Sequence, residues 1–342
     1  MKSVRVFGQK GVAVDKLPDP QPHGDFVVVK VMASAISGTE RRYYDGSTPD
    51  PWAGARENGG HEAAGVVWKV ARPGPVREGD RVALFGAYRH CGRCRACLSG
   101  RWLFCQDESA PPQAAGYHAQ YVTIRSDFCL PLPDEVSFEA GALLAAPFGA
   151  AFRSLGRTEL TALDRVLVMG QGPLGLAVTL LCRFLGAQVI AADTNDYRLA
   201  CARACDATAT VNPSAGAFMD AIAGFTRGAG VEVAIDCTGS ADGRLACLEA
   251  VGRGGRVGLL GIAEGLQLDA AQAGQLFAKE IALSASWYVD PAQVLTVADL
   301  VVRGLEPARI ITHRFPIEAA AQAFATGFGG EAGKVVILPW GA

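Results

Sequence analysis

Apolar residues follow two different rhythms along the chain. In the first half, short β-rich runs alternate with turns of Gly, Pro and Asp: 26–32 (FVVVKVM), 64–70 and 81–85 read as strands, the last after the turn Glu78-Gly79-Asp80. From about residue 150 the pattern becomes strand then helix. Residues 165–169 (RVLVM) form an apolar strand, 174–185 a helix, 189–192 a strand and 196–205 a helix, with 233–236 and 256–260 as further strands. Such alternation predicts an α/β domain with a doubly wound parallel sheet. After about residue 285 it gives way to one helix (291–304) and a final strand (334–338). The tail is therefore expected to return to the first domain. Residues 1–147 and 286–342 would form a β-rich domain, and 148–285 an inserted nucleotide-binding domain. No internal repeat interrupts either part.

Composition narrows the class. At 342 residues the chain has room for two domains and ample core. Lys+Arg 32 against Asp+Glu 34 gives a net charge of -2, and no basic stretch exceeds two residues, so neither nucleic acid nor a membrane surface is expected as a partner. The longest strongly apolar run, around 174–182, is about half of what a membrane span needs. The start, Met1-Lys2-Ser3-Val4-Arg5, lacks the apolar core of a secretory signal, which implies a reducing, cytoplasmic setting. In that setting clustered cysteines bind metal more readily than they form disulfides. Of ten cysteines, Cys129, Cys182, Cys201, Cys205, Cys237 and Cys247 are scattered through apolar segments and read as small core residues.

Gly170-Gln171-Gly172-Pro173-Leu174-Gly175 matches G-x-G-x-x-G in the required context, after a strand and opening a helix. Gly170 permits the tight turn, Gly172 lets backbone approach a pyrophosphate, Gly175 allows close helix–strand packing, and the helix N-terminus offers N–H groups to the phosphates. Asp193 follows at the end of the next strand. A carboxylate there accepts from ribose hydroxyls and repels a 2′-phosphate, which favours NAD over NADP.

The remaining cysteines are spaced Cys91-x2-Cys94-x2-Cys97-x7-Cys105. Four thiolates close a tetrahedral shell around zinc and leave no open position, so the metal would be structural, one per chain. A four-cysteine iron–sulfur cluster has similar spacing, although nothing else in the chain suggests electron transfer. The lobe 89–106 has few large apolar residues and needs such a staple.

Gly60-His61-Glu62-Ala63-Ala64-Gly65, Gly79-Asp80-Arg81-Val82, the cysteine lobe and the following dinucleotide fold together resemble the zinc-type medium-chain alcohol dehydrogenases, over essentially the whole chain. Asp193-x-Asn195-x-Tyr197-Arg198-Leu199, Ala146-Pro147-Phe148-Gly149 and Ile311-Thr312-His313-Arg314-Phe315 are most similar to the threonine and polyol dehydrogenase branch. The resemblance implies a GroES-like catalytic domain and a Rossmann domain. It also implies further dinucleotide contacts at Pro173, Leu174, Arg198, Thr238, Leu260, Gly261 and Ile262, and assembly as homodimers or homotetramers.

At the family's catalytic zinc the sequence departs from the pattern. The usual Cys-Gly-Thr/Ser-Asp/Glu reads Ser37-Gly38-Thr39-Glu40, so the thiolate ligand is a hydroxyl. The second ligand matches His61, and Glu62 matches a residue able to exchange onto the metal. The third, acidic ligand falls at Ala146, and the proton-relay His falls at Arg42. Thr39, His61, Glu62 and Arg42 are then the polar groups expected at the reacting carbon. His61 suits proton acceptance, Glu62 could orient it or take the proton itself, and Arg42 could stabilise an oxyanion or bind the cofactor pyrophosphate. Three functions follow: an NAD-dependent dehydrogenase for a secondary alcohol, with altered metal use; a zinc-less family member doing ene-reduction or non-oxidative chemistry; or a catalytically silent NAD-binding protein. The segment 40–57, with Asp45, Asp50 and Glu57, would suit a hydroxylated, cationic substrate such as an amino sugar or aminocyclitol.

Overall fold

A computed structural model describes residues 1–47, 59–86, 90–107, 116–262 and 266–341. In chain order it begins with strands β1 (Lys2–Val6), β2 (Val12–Lys16) and β3 (Phe26–Ala35), helix α1 (Arg41–Asp45), β4 (Ala63–Lys69), β5 (Arg81–Leu84), α2 (Arg95–Leu98), β6 (Tyr121–Arg125), β7 (Cys129–Pro131) and α3 (Phe138–Leu143). A π-type turn, Leu144–Phe148, leads into α4 (Gly149–Arg157). Then follow β8 (Arg165–Met169), α5 (Pro173–Phe184), β9 (Gln188–Ala192), α6 (Asp196–Ala204), β10 (Ala209–Val211), α7 (Phe218–Thr226), β11 (Val231–Asp236), α8 (Ala241–Ala250), β12 (Val251–Leu259), α9 (Ala270–Ala278) and β13 (Ala282–Ala285). The tail contains α10 (Pro291–Val302), β14 (Ile311–Pro316), α11 (Ala320–Phe328) and β15 (Lys334–Leu338). Two compact units result: Met1–Gly149 with Tyr288–Ala342, and Ala150–Trp287.

The first unit is built on a sheet of order β14-β15-β3-β4-β5-β7, with β6 pairing β3 as well. β3 is its spine because it is the longest strand and is paired by β4, β6 and β15, and Val27, Val28, Val29 and Val31 are almost wholly buried. Closing the sheet with β15 antiparallel to β3 brings the tail back into this unit. The tail also carries a strand and a helix beyond the two elements its pattern suggested. β14 and α11 are weak signals in sequence, one interrupted by His313 and Arg314, the other made mostly of Ala and Gly. Both are fixed by packing, β14 parallel to β15 and α11 through Ala320, Ala323 and Phe324 in a core with Val4, Tyr44 and Ile337.

The second unit is the doubly wound sheet that the strand–helix rhythm predicts. Six parallel strands run in the order β10-β9-β8-β11-β12-β13. Chain order reverses between β8 and β11, the topological switch point at which α/β sheets bind nucleotides. Parallel strands covered on both faces read as continuous apolar runs, and Val166, Leu167, Val168 and Met169 of β8 are all buried. Among the described residues no helix is long and apolar enough to cross a membrane.

Candidate active site and metal lobe

In the second unit, the turn from β8 into α5 is built as phosphate chemistry requires. Gly170 sits at φ +89°, a left-handed conformation that glycine adopts without strain. A Cβ on Gly175 would stand 1.7 Å from the Gly170 carbonyl oxygen, so only glycine permits this approach, whereas the space beside Gly172 is open. Pro173 and Leu174 begin α5, whose first amides have no side-chain cap and remain available to an anion. Asp193 is almost fully buried at the end of β9. One of its oxygens accepts from the Gln171 amide at 2.6 Å and the other from the Asn195 amide at 2.9 Å. An ionised carboxylate has about four acceptor positions, so two remain for further donors. Arg198 lies 3.9 Å from it. The turn carrying Thr238 is held by Asp236, to which the Thr238 hydroxyl donates at 2.6 Å and the Thr238 amide at 2.8 Å. Leu260 is buried, Gly261 donates to the Asp236 carbonyl and Ile262 is exposed. Asp236 closes β11 and is a residue of this turn that sequence reasoning missed. Its sequence signal is a carboxylate closing an apolar run just before Thr-Gly.

The cysteine lobe belongs to the first unit. Donor atoms of Cys91, Cys94, Cys97 and Cys105 all lie within 4.8 Å of one another, and the Cys91 and Cys97 sulfurs are 3.9 Å apart. Zinc–sulfur bonds of about 2.3 Å in a tetrahedron put the sulfurs roughly 3.8 Å apart, so the set fits the ion. Amides of Arg93 and Cys94 pointing at the Cys91 sulfur bring that thiol down to about 6, a thiolate at neutral pH. Burial pushes the Cys97 thiol up to about 12. The lobe is tied to the sheet by His90, which stacks on Trp102 at 3.8 Å and places Nδ1 3.2 Å from Asp127. Arg89 lies outside the described residues. None of the ten cysteines is in a disulfide; Cys129, Cys182, Cys205 and Cys247 are buried and Cys201 and Cys237 half-buried.

At the positions where the resemblance places the family's catalytic metal, the hydroxyl of Ser37 is occupied. It caps the single turn Gly38–Glu40, accepting from the Thr39 amide at 3.4 Å, and lies 3.0 Å from the Thr39 hydroxyl. Ala146 is buried in the π-type turn and offers no donor atom. His61 is half-buried. Burial pushes its imidazole below the usual histidine range, against the opposing pull of Glu62 and Glu40. Glu62 is engaged elsewhere: its carboxylate pairs with Lys334 at 2.6 Å, and both side chains are at most 2% exposed. Among the described residues the four cysteines are the only set of three or more His, Cys, Asp or Glu side chains that converge as metal ligands. The donor set at Ser37, His61 and Ala146 therefore does not fit a tightly held zinc.

Arg42 and Asp45 are exposed on α1, and Asp50 and Glu57 lie outside the described residues. Sequence reasoning passed over Lys334, whose signal is a charged residue opening an otherwise apolar strand. It also missed Tyr288, which has a left-handed backbone (φ +55°), a ring centroid 6.4 Å from that of His61, and a hydroxyl donating to the Gly86 carbonyl at 2.8 Å. The Glu62–Lys334 pair carries its own prediction. Removing one member of a buried ion pair strands a charge, at about 3–5 kcal/mol. Lys334→Met should lower the unfolding free energy by that order, and adding Glu62→Gln should recover most of it. A denaturation curve for Lys334→Met within about 1 kcal/mol of the parent would show the pair to be dispensable.

Residues 23–134 match the alcohol dehydrogenase GroES-like domain, and 173–303 the zinc-binding dehydrogenase domain. An L-threonine 3-dehydrogenase of Coxiella burnetii is 32% identical, covering 96% of this chain and 96% of its own. The sorbitol dehydrogenase of Bacillus subtilis is 32% identical over 77% of this chain and 75% of its own. A zinc-binding dehydrogenase of Sinorhizobium meliloti, solved bound to NADP, superposes with a TM-score of 0.87 at 28% identity over 99% of both chains. The chain is thus an enzyme of the zinc-type medium-chain alcohol dehydrogenase family, in its threonine and polyol dehydrogenase-like branch.

Proposed function

We propose that the protein is an NAD-dependent dehydrogenase that oxidises a secondary alcohol of a polyol, amino alcohol or sugar- or cyclitol-like molecule to a ketone, without the family's catalytic zinc. One observation carries the metal-free part: Ser37 is spent on capping, Ala146 has no donor, and Glu62 is paired with Lys334, which leaves His61 alone of the inherited ligands. Threonine and sorbitol dehydrogenase relatives support the substrate class. Gly170, Gly172, Gly175 and Asp193 would hold NAD, which supplies the hydride acceptor. His61, kept neutral by burial, takes the proton from the substrate hydroxyl, and Thr39 orients that hydroxyl. Cys91, Cys94, Cys97 and Cys105 would hold a structural zinc. The resemblance supports a cytoplasmic homodimer or homotetramer with no nucleic-acid or membrane partner. Absorbance at the NADH band, on mixing EDTA-treated protein with NAD and a panel containing sorbitol, L-threonine, amino sugars and aminocyclitols, tests the reading. NADH formation is expected; alkene reduction by NADH with no alcohol oxidised would overturn it.

Cofactor choice follows Asp193. A 2′-phosphate beside a buried carboxylate costs a few kcal/mol at short range, so NAD should bind at least about ten-fold tighter than NADP. Asp193→Ser should narrow the gap, at some loss of affinity for both cofactors because the Gln171 amide loses its acceptor. Equal dissociation constants for NAD and NADP in the parent protein would sink the assignment.

A further inference from the structure

Two ionisable side chains lie buried beneath the turns that present Thr39 and His61, and the scheme above uses neither. Glu40 is 3% exposed and the His118 side chain 0%. His118 Nε2 is 3.1 and 3.3 Å from the two Glu40 carboxylate oxygens, and its Nδ1 is 2.9 Å from the Ser34 hydroxyl. The second Glu40 oxygen also accepts from the Ser37 amide at 2.8 Å and so closes the turn 37–40 that carries Thr39. Burial pushes the Glu40 carboxyl up, yet His118, His61 and the Ser37 amide together hold it below the usual carboxylate range.

The same histidine supports the other catalytic turn. Its amide donates to the Gly59 carbonyl, and the amides of Gly116 and Tyr117 donate to that of Gly60. Gly60 has φ +102°, and a Cβ there would stand 2.9 Å from the His118 ring. The imidazole thus fills the space directly under the segment that delivers His61, and the edge of Phe324 covers it at 5.6 Å between centroids. One buried pair therefore touches both turns from which the reacting groups project.

We propose that His118 is a positioning residue. Through Glu40 it fixes the turn that presents Thr39, and through its ring and backbone it fixes the turn that presents His61. It thereby supplies the rigidity that a metal bridging these two turns would otherwise give. The inference rests on the metal-free reading of the site.

The test uses zinc-replete full-length protein carrying His118→Phe or His118→Gln. A purely structural role would change melting temperature alone. The positioning role predicts that His118→Phe lowers kcat at least ten-fold with the NADH dissociation constant within two-fold of the parent. His118→Gln, which can still donate to Glu40, should return kcat to within three-fold. If the stranded carboxylate stops His118→Phe from folding, the double variant H118F/E40Q, which removes both charges, is expected to show the same ten-fold loss. A kcat within three-fold of the parent in the folded Phe variant, or a Gln variant no better than Phe, would overturn the proposal. Amide hydrogen exchange gives a readout independent of turnover. The amides of Ser37 and of position 118 should exchange at least ten-fold faster in the Phe variant, with those of β8 and β11 unchanged. If the parent oxidises no alcohol, the dehydrogenase reading fails by itself and the exchange result still decides on His118: local acceleration supports the proposal, and a uniform or absent change overturns it.

Discussion

Purified protein should contain about one zinc per chain, held by the four cysteines, and should keep its activity through brief EDTA treatment. The sulfurs already lie within 4.8 Å of one another, and Cys91 is poised as a thiolate. A closed four-thiolate shell contributes roughly 10–16 kcal/mol in comparable structural sites, and because the ligands converge only in the folded chain, that binding energy also stabilises the fold. Cys97→Ser should therefore lose the metal and loosen the lobe, with His90 released from Trp102. The catalytic positions offer no comparable shell, since Ser37 caps a turn and Glu62 is held by Lys334. Two zincs per chain, with activity lost to EDTA and restored by added zinc, would mean that a metal-dependent mechanism survives through ligands not identified above.

His61→Ala should lower kcat by about 10²–10⁴-fold, the usual contribution of a proton-transfer group, while the NADH dissociation constant stays close to that of the parent. The Gly-rich turn and Asp193, proposed to hold NAD, belong to the second unit and His61 to the first. The pH dependence has a definite sign. Burial holds the imidazole below its ordinary range near 6.5, so the proton-accepting neutral form prevails at pH 7. For alcohol oxidation, kcat/KM should be on its plateau above that depressed value and fall as pH drops through it, a limb that His61→Ala should abolish. Parental turnover in the variant would make Thr39 or Tyr288 the next candidate. Glu62→Gln should act differently, through lost pairing with Lys334, and so register first in stability.

The sequence determined those features whose physics is local. The glycine turn after β8, Asp193 at the next strand end and the four clustered cysteines each declare their chemistry within a few residues. Short β-rich runs between turns, and then the strand–helix alternation, likewise announce the two kinds of domain. The departures at Ser37 and Ala146 were legible only against the family's ligand pattern, where a hydroxyl and a methyl group stand in place of a thiolate and an acid. What tertiary structure alone decided are partnerships between residues far apart in the chain. Glu62 read as a group beside the reacting carbon until Lys334, 272 positions away, took its charge. Glu40 and His118 are 78 positions apart and meet only because β3, β4 and the segment before β6 fold over one another. β14 and α11 became elements only when β15 and the N-terminal hairpin gave them a surface to bury. Burial turns a solvated charge into one that must find a partner, and no local pattern says which distant side chain will be there to meet it.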